Sequence, residues 1–155
     1  ARNLIASGRS IKLIGFQDTA SISDFRAIRR VTDLLTPEEL CYIDTYCYDG
    51  SNIRTIIEAI SECSEIIGTR FHSVVFGLAM GKKVASISYH AKTQETIESL
   101  GARIPQLTGF TAPAVDAFLN ELASAEPPSS DTLNLWRAEA EKHLNRFDSD
   151  TLDKI

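Results

Sequence analysis

The run Ile66-Ile67-Gly68-Thr69-Arg70-Phe71-His72-Ser73, continuing into Val74-Val75-Phe76-Gly77-Leu78-Ala79-Met80-Gly81, decides how this chain is read. It opens as a short apolar strand, ends on a cationic pair, and turns without a linker into a helix. Val84-Ala85-Ser86-Ile87-Ser88-Tyr89 follows as a second β-prone run, with Lys92 just beyond it. Strand, helix and strand at this spacing make a parallel crossover unit. Parallel α/β proteins place ligands at such junctions, because strand ends open onto a crevice and helix N-termini attract anions.

The same alternation extends outward in both directions. Upstream, Ile11 to Phe16 reads as a strand, followed by turn residues Gln17-Asp18-Thr19. From Asp24 the apolar positions Phe25, Ile28, Val31, Thr32 and Leu35 recur at helical spacing until Thr36-Pro37 stops them. Cys41 to Tyr48 is β-prone, Asp49-Gly50 is a turn, and Ser51 or Asn52 is placed to cap the next helix. That helix is expected to bury Ile53, Ile56, Ile57 and Ile60. Glu65 to Thr69, Phe71 to Met80 and Val84 to Tyr89 are the next strand, helix and strand. Gly81 stands where a helix C-terminus favours the left-handed conformation. Downstream, helices are expected over Lys92–Leu100, Ala114–Ala125 and Asp131 to about Phe147, with Pro127-Pro128-Ser129-Ser130 as a hinge. The fold class is α/β, a mostly parallel, doubly wound sheet with helices on both faces.

Composition removes several function classes. The 155 residues and the hydrophobic fraction of 43% suit one core. Sixteen basic and 21 acidic residues give a net charge of −5, against the phosphate neutralisation that nonspecific nucleic-acid binding requires. Cys41, Cys47 and Cys63 are odd in number and lack C-x-x-C spacing, so reduced, buried thiols are expected rather than disulfides or a zinc site. The longest apolar run, Ser73 to Met80, is well short of the roughly 20 residues a membrane span needs. No secretory pattern stands before the first strand, although the sequence opens on Ala1, and a cytoplasmic setting is expected.

Arg70, His72 and Ser73 form the constellation best placed for chemistry. If extended geometry runs through Phe71, Arg70 and His72 share one side and Phe71 faces the core. Ser73 is available to cap the helix, whose unpaired N–H groups and dipole favour an anion. A guanidinium matches a carboxylate or phosphate, and an imidazole supplies a proton or a hydrogen bond. Lys92 follows the next strand and is placed to reach the same mouth as a point charge. The plainer reading is a surface ion-pair arginine and a capping histidine. Gly77-x-x-x-Gly81 lacks the context of a phosphate loop and reads as close helix packing. Tyr42, Tyr46 and Tyr48 share a strand face by period two, which is ordinarily packing. His90 and His143 read as solvent-exposed. No Gly-x-Ser-x-Gly elbow and no His/Cys cluster with metal-ligand spacing occurs.

Taken in order, the Arg-x-His-Ser step, the small-residue helix ending in Gly81, and Ser88-Tyr89-x-x-Lys92 resemble the polysaccharide pyruvyl transferase family. The likeness is densest from about Asn52 to Gly101 and weaker back to Ile11. His90-Ala91 departs from it, since an acidic residue and proline are common there. The resemblance implies a Rossmann-like C-terminal domain of a GT-B-like enzyme over residues 1–126, with a hinge and amphipathic helix over 127–155 packing on the same domain. It implies a transferase that moves pyruvate from phosphoenolpyruvate onto a pair of sugar hydroxyls as a ketal, in exopolysaccharide or cell-wall glycan synthesis. His72 and Arg70 would be catalytic. Arg70, Ser73, Tyr89 and Lys92 would hold substrate. His72 would either protonate the enol carbon or bind the leaving phosphate.

No cofactor or metal is implied. The expected partners are phosphoenolpyruvate and a glycan or lipid-linked sugar acceptor, without nucleic acid and without a transmembrane segment, in the cytoplasm or peripheral to the inner membrane face. Acceptor contacts are expected on an N-terminal half outside residues 1–155, so these residues alone are expected to fold without catalysing. Leu133, Trp136, Ala140, Leu144 and Phe147 share one face of the last helix, a stripe that another copy of the chain would cover in a homo-oligomer. Two other functions compete: a GT-B glycosyltransferase using a nucleotide-sugar, and a noncatalytic anion- or glycan-binding domain.

Overall fold

The computed structural model describes residues 1–17, 23–87, 103–107 and 109–138. Two compact units divide the chain, Ala1–Cys63 and Ser64–Ile155. The class is α/β, and its parallel pairing is realised as two small sheets.

The first unit contains α1 (Arg2–Ala6), β1 (Ile11–Gly15), α2 (Asp24–Thr32), α3 (Pro37–Leu40), β2 (Ile43–Cys47) and α4 (Ile53–Ser61). β1 and β2 pair in parallel with Ile11 opposite Ile43 and Gly15 opposite Cys47. Ser23 caps α2 by accepting from the Arg26 N–H at 3.2 Å, while Asp24 accepts from the N–H groups of Phe16 and Gln17, both at 3.0 Å. The helix ends at Thr32, earlier than the apolar spacing suggests, because Thr36 starts a new helix at Pro37. Thr36 accepts from Glu39 N–H and Glu39 accepts from Thr36 N–H, a reciprocal capping box. The Thr36 N–H and then Arg2 hold the Glu39 carboxyl below the usual carboxylate range.

The turn after β2 is held by its own side chains. Asp49 accepts from the Ser51 N–H, the Ser51 hydroxyl and the Asn52 N–H, which keep its carboxyl below the ordinary range. Asn52 takes the cap position of α4, yet its side chain bonds Asp49 N–H and the Cys47 carbonyl instead of the helix. The buried stripe of α4 is Ile56, Ala59 and Ile60, whereas Ile53 and Ile57 are exposed. The reason is rotational: Ile53 and Ile57 lie about 60° and 100° round from Ile56, past the edge of the buried arc. Cys41 is likewise exposed rather than buried, and Cys47 and Cys63 are half-buried free thiols. Tyr42 precedes β2, so only Tyr46 of the three tyrosines lies within the strand, where Lys12, paired with Glu62, sits 5.6 Å from its ring.

The second unit contains β3 (Glu65–Gly68), α5 (Phe71–Ala79), β4 (Lys83–Ser86), α6 (Ala112–Ser124) and helical residues 130–138. β3 and β4 are parallel, with Gly68 opposite Ser86. Residues 105–107 extend this sheet: Ser86 N–H donates to the Pro105 carbonyl and Leu107 N–H to the Ser86 carbonyl, each at 2.9 Å. Alternation along β3 and β4 then builds two cores. One face carries Val84 and Ile66 against Val74 and Leu78 of α5, with Ile104 and Trp136 packed on them. The other carries Ala85 and Ile67 against Phe118 and Leu122 of α6. This small sheet is therefore covered on both faces, as a doubly wound arrangement requires.

Gly77 allows the close approach of α5, since a Cβ there would lie 2.8 Å from Val84 Cγ2 and 3.0 Å from Ile66 Cδ1. Gly81 ends the helix at φ +67°. Its N–H bonds the Leu78 carbonyl at 2.9 Å and Lys82 N–H bonds the Gly77 carbonyl at 3.0 Å, the paired closure of a Schellman motif. Gly81→Ala should cost about 1 kcal/mol, because alanine resists the left-handed conformation. Urea denaturation followed by circular dichroism checks this, with a lower midpoint at unchanged slope as the expected result. Leu133 and Trp136 are half-buried, and Trp136 packs on the α5-side core. The described part of the tail stripe thus meets its own unit. Ala140, Leu144, Phe147, the helix expected over Lys92–Leu100, and His90 and His143 lie outside the described residues. No helix among the described residues is long and apolar enough to cross a membrane.

Candidate active site

The junction between β3 and α5 is built by what Gly68 lacks. A Cβ on Gly68 would lie 2.7 Å from Val74 Cγ2, 2.8 Å from Ser73 Oγ and 3.1 Å from Val74 N. Only a glycine lets the strand end lie directly beneath the first turn of the helix. Ser86, paired with Gly68 on β4, shares the α5-facing side with Val84 and is almost wholly buried. Strand end and helix start are thereby locked together at the C-terminal edge of the sheet.

Thr69 and Arg70 then carry the chain upward, and Arg70 is the last extended residue, at φ −127° and ψ 150°. Helical geometry begins at Phe71. The expected alternation through Phe71 therefore stops one residue early, and Phe71 is 37% exposed instead of facing the core. Arg70 at the N-cap is half-buried, and His72, the second residue of the helix, is exposed. Both belong to the first turn through helix entry rather than through a shared strand face.

An arginine is a poor N-cap, because it offers no oxygen to the free N–H groups of the first turn. Ser73 partly compensates from inside the helix. Its hydroxyl donates to the Arg70 carbonyl at 2.6 Å and lies 3.4 Å from the Arg70 N–H, which donates to it. The Ser73 hydroxyl therefore shapes the turn. The first N–H groups turned back into the helix are those of Ser73 and Val74, which bond the Arg70 carbonyl at 3.1 and 3.3 Å. The N–H groups of Phe71 and His72 precede them and sit at the positive end of the helix dipole. No acidic residue occupies the first turn.

Sequence reasoning brought Arg70, His72 and Ser73 together, and the structure gathers them in one turn. Tyr89 and Lys92 lie outside the described residues. Gly68, Phe71 and Ser86 carry no functional signal by residue type; a glycine two residues before the cationic strand-to-helix step is the pattern that points to the first. Among the described residues, no group of His, Cys, Asp or Glu side chains is arranged to hold a metal ion.

No curated protein and no solved structure matches the chain. A family model described as polysaccharide pyruvyl transferase matches residues 13–91, which is 79 of 155 residues. The match runs from β1 past β4 and takes in the Gly68–Ser73 junction and Tyr89, ending one residue before Lys92. With more than half its length matched, from the first strand to the segment after the fourth, the chain belongs to the polysaccharide pyruvyl transferase family.

Proposed function

We propose that the start of α5 binds phosphoenolpyruvate, and that the protein transfers its pyruvyl group to two hydroxyls of a glycan or lipid-linked sugar. The observation that carries this reading is the helix start left without a side-chain cap between Arg70 and His72, in a chain of this family. Phosphoenolpyruvate presents a phosphate and a carboxylate. The Phe71 and His72 N–H groups suit one anion, and the Arg70 guanidinium offers a planar fork for the other. Lys92 is the further cation in this proposal and Tyr89 a further substrate contact.

The chemistry begins with proton addition to the methylene carbon, which becomes a methyl group and leaves an oxocarbenium at the adjacent carbon. A sugar hydroxyl attacks that carbon and loses its proton. The carbon–oxygen bond to phosphate breaks, phosphate departs with its electron pair, and a second hydroxyl closes the ketal, losing its proton in turn. His72 serves this sequence either as the proton donor or by donating a hydrogen bond to the leaving phosphate. Arg70 offsets the charge that gathers on phosphate as it leaves.

The reaction belongs in the cytoplasm, at the inner membrane face when the acceptor is lipid-linked. Transfer also requires the acceptor to be held in line and water excluded, which we assign to a second α/β half. Residues 1–155 alone then bind donor and do not turn over. Calorimetric titration of residues 1–155 with phosphoenolpyruvate should give saturable binding, lost in the Arg70→Ala variant. Equal binding by that variant, or preference for a nucleotide-sugar over phosphoenolpyruvate, would sink the reading.

A further inference from the structure

We propose that Phe71 is a positioning residue whose ring holds the His72 imidazole toward the helix N-terminus; this rests on the donor site just described. The two rings meet edge to face, with centroids 5.6 Å apart and planes at 67°. Both side chains are exposed. The edge-to-face contact with the Phe71 ring restricts the rotation of the imidazole.

The need for such a restraint follows from the location. His72 is the second residue of α5, and its ring stands clear of the two cores of its unit. An unrestrained imidazole visits several rotamers, and only those near the uncapped N–H groups place a ring nitrogen at a bound anion. Proton transfer and oxyanion stabilisation both require a donor held within hydrogen-bond reach. An aromatic neighbour supplies directional edge-to-face contact that an aliphatic side chain of similar volume does not. Phe71 keeps 37% of its surface exposed, so part of its ring lies outside the core on the same surface as His72.

The experiment combines kinetics with imidazole NMR. Activity is measured by phosphate release, in the shortest form of the protein that turns over. Phe71→Leu should lower kcat about three- to tenfold while leaving KM for phosphoenolpyruvate within about twofold. Phe71→Tyr should restore kcat. In free wild-type protein the His72 ring protons should be displaced by the ring current of Phe71, and Phe71→Leu should remove the displacement. In a His72→Ala background, Phe71→Leu should have no further effect on kcat.

A Phe71→Leu effect that persists in that background, or a change confined to KM, would mean that Phe71 meets substrate directly and would overturn the proposal. Unchanged kcat in Phe71→Leu overturns it as well. The donor-site reading fails separately: wild-type His72 signals that do not move at saturating phosphoenolpyruvate would remove that reading. The ring-current test would still decide the Phe71–His72 geometry.

Discussion

His72→Ala is expected to lower turnover by about two to three orders of magnitude, with KM for phosphoenolpyruvate changed by no more than about threefold. The asymmetry follows from placement. His72 lies at the first turn of α5, and in the proposed donor site its backbone N–H would bind a ground-state anion in wild type and variant alike. The side chain is needed when the proton moves or when phosphate leaves. Arg70→Ala should behave differently, raising KM more than tenfold, because in the proposed site the guanidinium would contact the donor in both the ground state and the transition state. Phosphate release from phosphoenolpyruvate with a glycan acceptor reads both variants. His72→Gln separates the two roles left to the imidazole. A glutamine keeps a hydrogen-bond donor but cannot deliver a proton. Substantial retained activity therefore assigns His72 to the phosphate, and a loss equal to that of alanine assigns it to the enol carbon. Unchanged kinetics in both Arg70→Ala and His72→Ala would place the active site elsewhere.

The second large effect is expected at a residue with no functional group. Gly68→Ala sets a methyl 2.7 Å from Val74 Cγ2 and 2.8 Å from Ser73 Oγ, closer than carbon and oxygen atoms tolerate. Neither neighbour yields easily. Val74 is fully buried in the α5-side core, and Ser73 is tied to Arg70 at 2.6 Å. The strain should cost about 1–3 kcal/mol, seen as a fall of several degrees in the melting temperature. It also pushes α5 away from the strand end, so Arg70 and the first free N–H groups move together. Donor binding measured below the melting transition should therefore weaken in the folded variant. A Gly68→Ala protein with wild-type stability and donor affinity would show that the junction is looser than its geometry states.

These two experiments probe different levels of one arrangement. The cationic step was legible because it lies in one continuous stretch, and a strand passing directly into a helix leaves few places for the side chains. Its detailed facing was not legible. Extended geometry through Phe71 would have put Arg70 and His72 on one side of a strand, but helix formation begins one residue sooner. The competing force is local: the Ser73 hydroxyl bonds both backbone groups of Arg70, closing the first turn at Phe71. The early stop of α2 has a similar origin. Thr36 and Glu39 cap each other, a signal readable as T-x-x-E, and the apolar spacing through Leu35 obscured it.

Residue order alone determined the α/β class, the parallel direction of the strands, the glycine stop of α5, and the gathering of Arg70, His72 and Ser73 in one turn. Each of these depends on neighbours in sequence or on a hydrophobic period, which are local properties. Tertiary structure decided which side of α4 is buried, leaving Ile53 and Ile57 outside, because an arc of contact is set by the surface it meets. It also decided that the sheets close as two separate pairs, and that residues 105–107, with no strand pattern of their own, add to β4. Most consequentially, it left no room for a Cβ at Gly68 and left Phe71 exposed beside His72. Both outcomes arise from how closely a helix lies on a strand end, a distance that packing alone determines.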